Sequence, residues 1–284
     1  VEGYLNQMQI NTQSKFNPFR SWLIYTLIIF SSLGWCGDQE TRALTNIERE
    51  ISINSFLQYE SNPPINYLLY RGFAIKYLCD QHVPEYALHI ISPGNISLPE
   101  GQSPAKRRST FFVDDHQVRD CSAIPYDYKG SGYDRGHLVP AGDYVWNKFL
   151  KDETFVYSNI FPQSANLNRG IWRHLEDCVR RYSSENGVKL ILITGGLYDN
   201  EDPHTIGKRG LEVPTHTYKI IFSPTESKMW CYLLPNSIDN YQEIADYQVT
   251  VDEIEAMAKE DFYDLLPDSL EGILESRLTT NLCK

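Results

Sequence analysis

Ser131-Gly-Tyr-Asp-Arg-Gly-His-Leu-Val-Pro-Ala-Gly-Asp143 places an arginine and a histidine two residues apart in what reads as a glycine-bounded turn. Phosphodiester hydrolysis needs a base for water, a counter-charge for the five-coordinate phosphorus and an acid for the leaving oxygen. His137 suits the first task, because an unperturbed imidazole titrates at about 6.5 and is largely neutral at physiological pH. Arg135 suits the second, because a guanidinium fork can bind two phosphate oxygens at once. Taken alone, a histidine after Arg-Gly is more often a turn or core residue, and an arginine in such a turn can be half of a structural ion pair.

Three further segments follow at short spacing: Ser158-Asn-Ile-Phe-Pro-Gln163, Leu167-Asn-Arg-Gly-Ile-Trp172 and Leu175-Glu176. With Asp134-Arg-Gly-His137 they resemble the DNA/RNA non-specific endonucleases, a family with a ββα-metal (His-Me finger) active site. The resemblance extends through Ile193-Thr-Gly-Gly-Leu-Tyr198, where Gly196 stands in place of the family's proline, Val213-Pro-Thr-His-Thr-Tyr-Lys219 and Val249-Thr-Val-Asp-Glu-Ile-Glu255. It covers roughly residues 73–266 and implies an α+β fold, a central, largely antiparallel sheet with flanking helices. It also implies a set of roles: His137 as general base, Arg135 stabilising the phosphorane-like transition state, Asn159 orienting the site near the histidine, and Asn168 as the single direct protein ligand of Mg²⁺, with Mn²⁺ able to substitute. Glu176 would act through metal-bound water, and Arg107 or Arg108 would contact substrate, with the register between the two open.

The chemistry suits the residue types. Mg²⁺ takes oxygen ligands and keeps several waters when the protein supplies few, so no dense carboxylate cluster is required. Glu176 lies eight positions after Asn168, a little over two helical turns, and projects from roughly the same side. Outside the resemblance, Asn168 is a helix N-terminal residue, Glu176 a solvated helix charge and Asn159 a turn former; Asp134 reads as a brace for the turn.

The net charge of −11 is unexpected for a protein that meets polyanions. It is unevenly spread. Residues 101–184 hold twelve Lys/Arg against ten Asp/Glu, whereas residues 236–284 hold three against twelve. The motif thus lies in the more basic segment, and the acidic stretch is either a solvated helical face or a device against non-specific retention. Neither an internal repeat nor a nucleophilic Ser or Cys arrangement is visible, and His82, His89, His116, His174, His204 and His216 show no metal-ligand spacing.

Read from Met8, Lys15 and Arg20 precede a nine-residue apolar run, Trp22 to Phe30, and the small residues Ser32-Leu-Gly34. That is a signal-peptide pattern, too short for a span of about 20 residues. Alternatives are an N-terminal helix or a mitochondrial presequence. The expected organisation is residues 1–36 as signal peptide and upstream residues, 37–72 as an N-terminal lead-in and 73–284 as the nuclease domain. Six scattered cysteines without a Cys-x-x-Cys pair point to disulfides, and Asn95-Ile-Ser97 is a glycosylation sequon; both fit an oxidising compartment.

The patterning predicts a hairpin of residues 73–78 and 86–91, strands over 155–159, 188–194, 217–222 and 228–234, a helix over 167–182 and helices over 251–258 and 261–266. The leading functional expectation is a secreted Mg²⁺-dependent endonuclease that cuts DNA and RNA, with no stable membrane association once the leader is removed. The alternatives are a catalytically silent nucleic-acid-binding relative and an organellar nuclease of the endonuclease G type.

Overall fold

The computed structural model describes residues 67–96, 103–104, 112, 115–199, 201–237, 242–263, 266 and 268–283. The leader run Trp22 to Phe30, Cys36, Ser97 of the sequon and both substrate-contact candidates, Arg107 and Arg108, lie outside the described residues. Among the described residues no helix is long and apolar enough to cross a membrane.

The strands in chain order are β1 (Tyr67–Leu69), β2 (Phe73–Leu78), β3 (Val83–Ile91), β4 (Tyr133–His137), β5 (Ile160–Ser164), β6 (Leu190–Leu197), β7 (Thr205–Ile206), β8 (Leu211–Glu212), β9 (His216–Ser223), β10 (Lys228–Pro235) and β11 (Gln248–Val249). The helices are α1 (Pro93–Ile96), α2 (Lys148–Glu153), α3 (Trp172–Asn186), α4 (Val251–Ala258) and α5 (Asp268–Glu275). Seven strands form one antiparallel sheet in the order β1-β2-β3-β6-β9-β10-β11, while β4 and β5 pair separately, as do β7 and β8. The expected α+β architecture is what the structure shows.

Both faces of this sheet are covered, which is why β9 is buried along nearly its whole length. Alternate residues separate the two cores, since successive side chains of a strand point to opposite faces. Leu190, Leu192, Ile221, Trp230 and Tyr232 pack with Trp172, Leu175 and Val179 of α3 on one face. Ile193, Tyr218, Ile220, Phe222 and Met229 pack with Val251 and Ile254 of α4 and Leu274 of α5 on the other. Helix α3 starts with the buried Trp172, in the same core as Leu167, and Gly187 closes it in the left-handed region at φ 64°. Helix α4 begins with a capping box, Thr250 and Glu253 exchanging side-chain-to-backbone hydrogen bonds.

Several expected elements move. The segment carrying Arg135 and His137 is a strand, not a turn, because Tyr133 to His137 pairs in register with Ile160 to Ser164. The strand expected over 155–159 begins instead at Ile160, and Tyr157–Asn159 forms a tight helical turn before it. The helix expected over 167–182 breaks at Gly170 (φ −103°, ψ −111°) and then runs on to Asn186. The last helix lies at Asp268–Glu275 rather than over 261–266, with residues 261–263 non-helical. Two disulfides, Cys79–Cys121 and Cys178–Cys283, bear out the expected cysteine pairing, and Cys231 is a buried free thiol.

Candidate active site

Three consecutive pieces build the site: the β4-β5 hairpin, the broken helical turn Leu167–Ile171 and α3. In β4, Arg135 and His137 alternate onto one face, opposite Pro162 and Ile160, and Asp134 falls on the other. Gly136 lies between them for want of space. A Cβ there would stand 2.5 Å from Oε1 and 2.7 Å from Cβ of the fully buried Gln163. The hairpin is anchored to the main sheet by Asn236, whose Oδ1 accepts from Ser164 N–H and whose Nδ2 donates to the Pro162 and Pro214 carbonyls.

Aromatic rings fix both catalytic candidates. The His137 ring lies between Phe112 and Phe155, with centroids 5.3 and 5.1 Å away. The Arg135 guanidinium stands 5.5, 5.6 and 5.9 Å from the ring centres of Phe112, Tyr128 and Tyr157. Ring faces hold a cation without neutralising it. No carboxylate pairs with Arg135 among the described residues, and its Nε is buried without a hydrogen-bond partner there. A buried donor in that state costs roughly 1–3 kcal/mol, a cost an incoming oxyanion would remove.

Asp134 joins strand to helix. It accepts from Asn168 Nδ2 at 3.0 Å and from Arg169 Nε at 2.7 Å, and the Arg169 hydrogen bonds hold its carboxyl below the usual range. With its amide nitrogen committed to Asp134, Asn168 has its carbonyl oxygen left to offer as a hard ligand. Beyond the break at Gly170, α3 begins at Trp172, and Glu176 stands one turn into it.

Below these two residues lies a buried charge network that the sequence reading did not find. Lys219 of β9 is 1% exposed, donates to Thr194 Oγ1 at 2.5 Å and sits 5.0 Å from the Trp172 ring centre. Burial pushes the Glu176 carboxyl up to about 7, against the pull of Lys219 and Arg180. Arg180, one turn beyond Glu176, reaches Asp143 at 2.7 Å and Asp177 at 2.6 Å, and Asp143 also accepts from His89 Nε2 at 2.8 Å. Burial pushes His89 below its ordinary pKa; Asp143 stays below its own despite burial, held by His89 and Arg180. Only the Glu176-to-Arg180 spacing was a usable sequence signal, since His89, Asp143 and Lys219 come from distant segments.

Asn159 is fully buried and faces the protein. Its Oδ1 accepts from Val139 N–H, and its Nδ2 donates to the Val139 and Thr154 carbonyls, each at 3.0 Å. Its backbone carbonyl accepts from Leu138 N–H. It therefore clamps the chain leaving His137. The structure thus ties Asp134 to Asn168 where hairpin meets helix, carries Arg135 and His137 on the other face of the same strand, sets Glu176 farther along in α3, and places Asn159 behind the chain leaving His137.

The sequence profile of the DNA/RNA non-specific endonucleases matches residues 52–269. "Nuclease 1, mitochondrial" of Schizosaccharomyces pombe is 32% identical over 77% of this chain and 72% of its own length. "Nuclease EXOG, mitochondrial" of Mus musculus is 29% identical over 76% of this chain, which spans 61% of that relative's length. Among solved structures, one of an EndoG/EndoGI complex superposes with a TM-score of 0.65 at 27% identity, over 76% of this chain and 92% of the other. With the profile spanning the hairpin, the helix and the sheet that carries them, the chain belongs to the family of DNA/RNA non-specific endonucleases, and it is an endonuclease.

Proposed function

We propose that the protein is a Mg²⁺-dependent, sugar-non-specific endonuclease that hydrolyses phosphodiester bonds of DNA and RNA. The observation that carries this reading is the coupling of Arg135 and His137 through Asp134 to Asn168 at one hairpin-helix junction. Asn168 and Glu176 fit a hard divalent cation, since one offers an amide oxygen and the other a half-buried carboxyl that can hold metal-bound water. When bound, such an ion supplies charge neutralisation at the phosphate and at the leaving oxygen. His137, held edge-on by Phe155, takes the proton of the attacking water; Arg135 meets the non-bridging oxygens as charge builds on phosphorus; Glu176 orients water. Because these contacts reach backbone rather than base edges, sequence choice is weak and both sugars are accepted.

The test is cleavage of plasmid DNA and of RNA by the full chain with Mg²⁺ and with EDTA. Both substrates should be cut only with Mg²⁺, and undiminished cutting in EDTA would sink the metal assignment. RNA resistance would confine the substrate to DNA.

For localisation we propose secretion, supported by the Trp22 to Phe30 run and by two disulfides, which persist in oxidising compartments. The mitochondrial names of both relatives favour the organellar alternative. Mass spectrometry of protein from expressing eukaryotic cells decides: secretion requires medium-borne protein starting at about residues 35–38, from the signal-peptide pattern.

A further inference from the structure

Two cysteines and a histidine meet on one side of α3. His174 and Cys178 are four residues apart, so they share a face of the helix, and Nε2 of His174 lies 3.7 Å from Sγ of Cys178. Cys283, from the segment beyond α5, completes the group through its disulfide to Cys178. His174 is exposed, Cys178 buried and Cys283 half-buried. Glu176 stands two positions from both helical members, about 200° round the axis, so the group faces away from the catalytic cation.

The disulfide is not what alone keeps Cys283 there. Trp230 Nε1 donates to the Thr280 carbonyl at 2.8 Å, and the Tyr232 hydroxyl donates to Asn281 Oδ1 at 2.9 Å and accepts from Leu282 N–H at 3.2 Å. Asn281 in turn accepts from Cys283 N–H and donates to its carbonyl, both at 3.1 Å. Leu282, buried, packs in the same core as Cys178. These contacts do not depend on the S–S bond, so breaking it leaves two thiols and an imidazole still facing one another. Arg181 Nη2, 3.4 Å from Cys178 Sγ, stabilises negative charge on that sulfur.

We propose that, once this disulfide is reduced, His174, Cys178 and Cys283 form a Zn²⁺ site that takes over the tie between α3 and the segment beyond α5. A dithiol passes two electrons and two protons to the disulfide and itself becomes a disulfide; Zn²⁺ then displaces the two thiol protons to solvent. Thiolate and imidazole suit Zn²⁺, whereas Mg²⁺ takes oxygen. Tetrahedral Zn²⁺, with sulfur at about 2.3 Å and nitrogen at about 2.0–2.1 Å, sets neighbouring S and N roughly 3.6 Å apart and two sulfurs roughly 3.8 Å apart. The His174–Cys178 separation of 3.7 Å already meets the first requirement, and opening the S–S bond supplies the second. Exposed His174 leaves the fourth position to water. An oxidising compartment holds the tie as a disulfide, and a reducing one holds it as a metal bridge.

The test reduces the metal-stripped full chain with dithiothreitol, removes the reductant without air, and titrates with Co²⁺ as the spectroscopic stand-in for Zn²⁺. Sulfur-to-cobalt charge transfer and the visible bands of tetrahedral Co²⁺ should appear, bleach when Zn²⁺ is added, and be absent from the oxidised chain; an oxygen-ligated ion at Asn168 produces neither. Cys283→Ser should remove most of the charge-transfer intensity. His174→Ala, at an exposed position where folding is safe, should keep thiolate ligation but weaken Co²⁺ binding by about 10-fold or more, the scale of losing even a supporting partner of a metal ligand. Cys79→Ser with Cys121→Ser should leave the bands unchanged. Circular dichroism follows the fold throughout. Reduced protein without these bands, bands indifferent to both Cys283→Ser and His174→Ala, or loss of the fold on reduction overturns the proposal and leaves Cys178–Cys283 a structural disulfide.

Discussion

At the scale of single residues, catalysis depends on a few side chains whose freedom has been removed. His137 is fixed between Phe112 and Phe155, so His137→Ala should leave the fold intact and lower turnover by about 10² to 10⁴-fold, the usual worth of a positioned general base. Circular dichroism and single-turnover cleavage would check both halves; near-normal turnover would remove His137 from the mechanism. Asn168 offers an uncharged amide oxygen, so Asn168→Ala should raise the Mg²⁺ concentration needed for half-maximal rate, with part of the rate recovered at high Mg²⁺. Glu176→Gln should shift the same curve less, by roughly 10 to 100-fold. Identical metal curves in all three proteins would place the cation elsewhere. These residues were legible in the sequence because hairpin and helix are contiguous in the chain. The role of Asp134 as the brace of Asn168 was legible only as a brace, not as to what it holds.

At the scale of elements, the least legible feature was the catalytic strand. Tyr133 to His137 reads as a turn because glycines stand at 132 and 136, yet Gly136 is there to admit Gln163 and not to bend the chain. Gly136→Ala should therefore destabilise by about 1–3 kcal/mol, as overpacking does, and reduce turnover by shifting Arg135 and His137 together. Urea midpoints alongside kcat would test this, and an unchanged midpoint would show that Gln163 yields at no cost. The helix expected over 167–182 was found, but its break at Gly170 was not, since the apolar spacing of Ile171, Leu175 and Val179 carries no sign of it. That break lies between Asn168 and Trp172, where an unbroken helix would orient the amide differently.

At the scale of the whole molecule, the buried network of His89, Asp143, Arg180 and Lys219 links β3, the turn after β4, α3 and β9. Its members are 54, 37 and 39 positions apart in sequence order, so no local pattern could reveal it. It also sets an acid limit. Burial lowers the His89 pKa in the folded state, so the native state favours the neutral ring that donates to Asp143. The stability this gives is complete above the unfolded value of about 6.5 and is lost as pH falls through the lower folded value. Wild-type urea midpoints should decline below about pH 6.5 more steeply than those of His89→Gln, in which only the other titrating groups, Glu176 among them, set the slope. An equal decline in the variant would assign it to other groups.

The Cys178–Cys283 bridge spans 105 residues and fastens α3 to the chain beyond α5. Within that span, Glu201 to His204 forms an exposed stretch, the kind of segment that proteases enter first. A cut there would produce two fragments that remain one covalent molecule, with the helix bearing Glu176 on one and the strand bearing Lys219 on the other. Such a nicked form should migrate as a single species until reductant is added, and should go on digesting nucleic acid. An enzyme of this design outlasts a break in its own backbone and is disarmed in two steps, by cleavage and then by reduction.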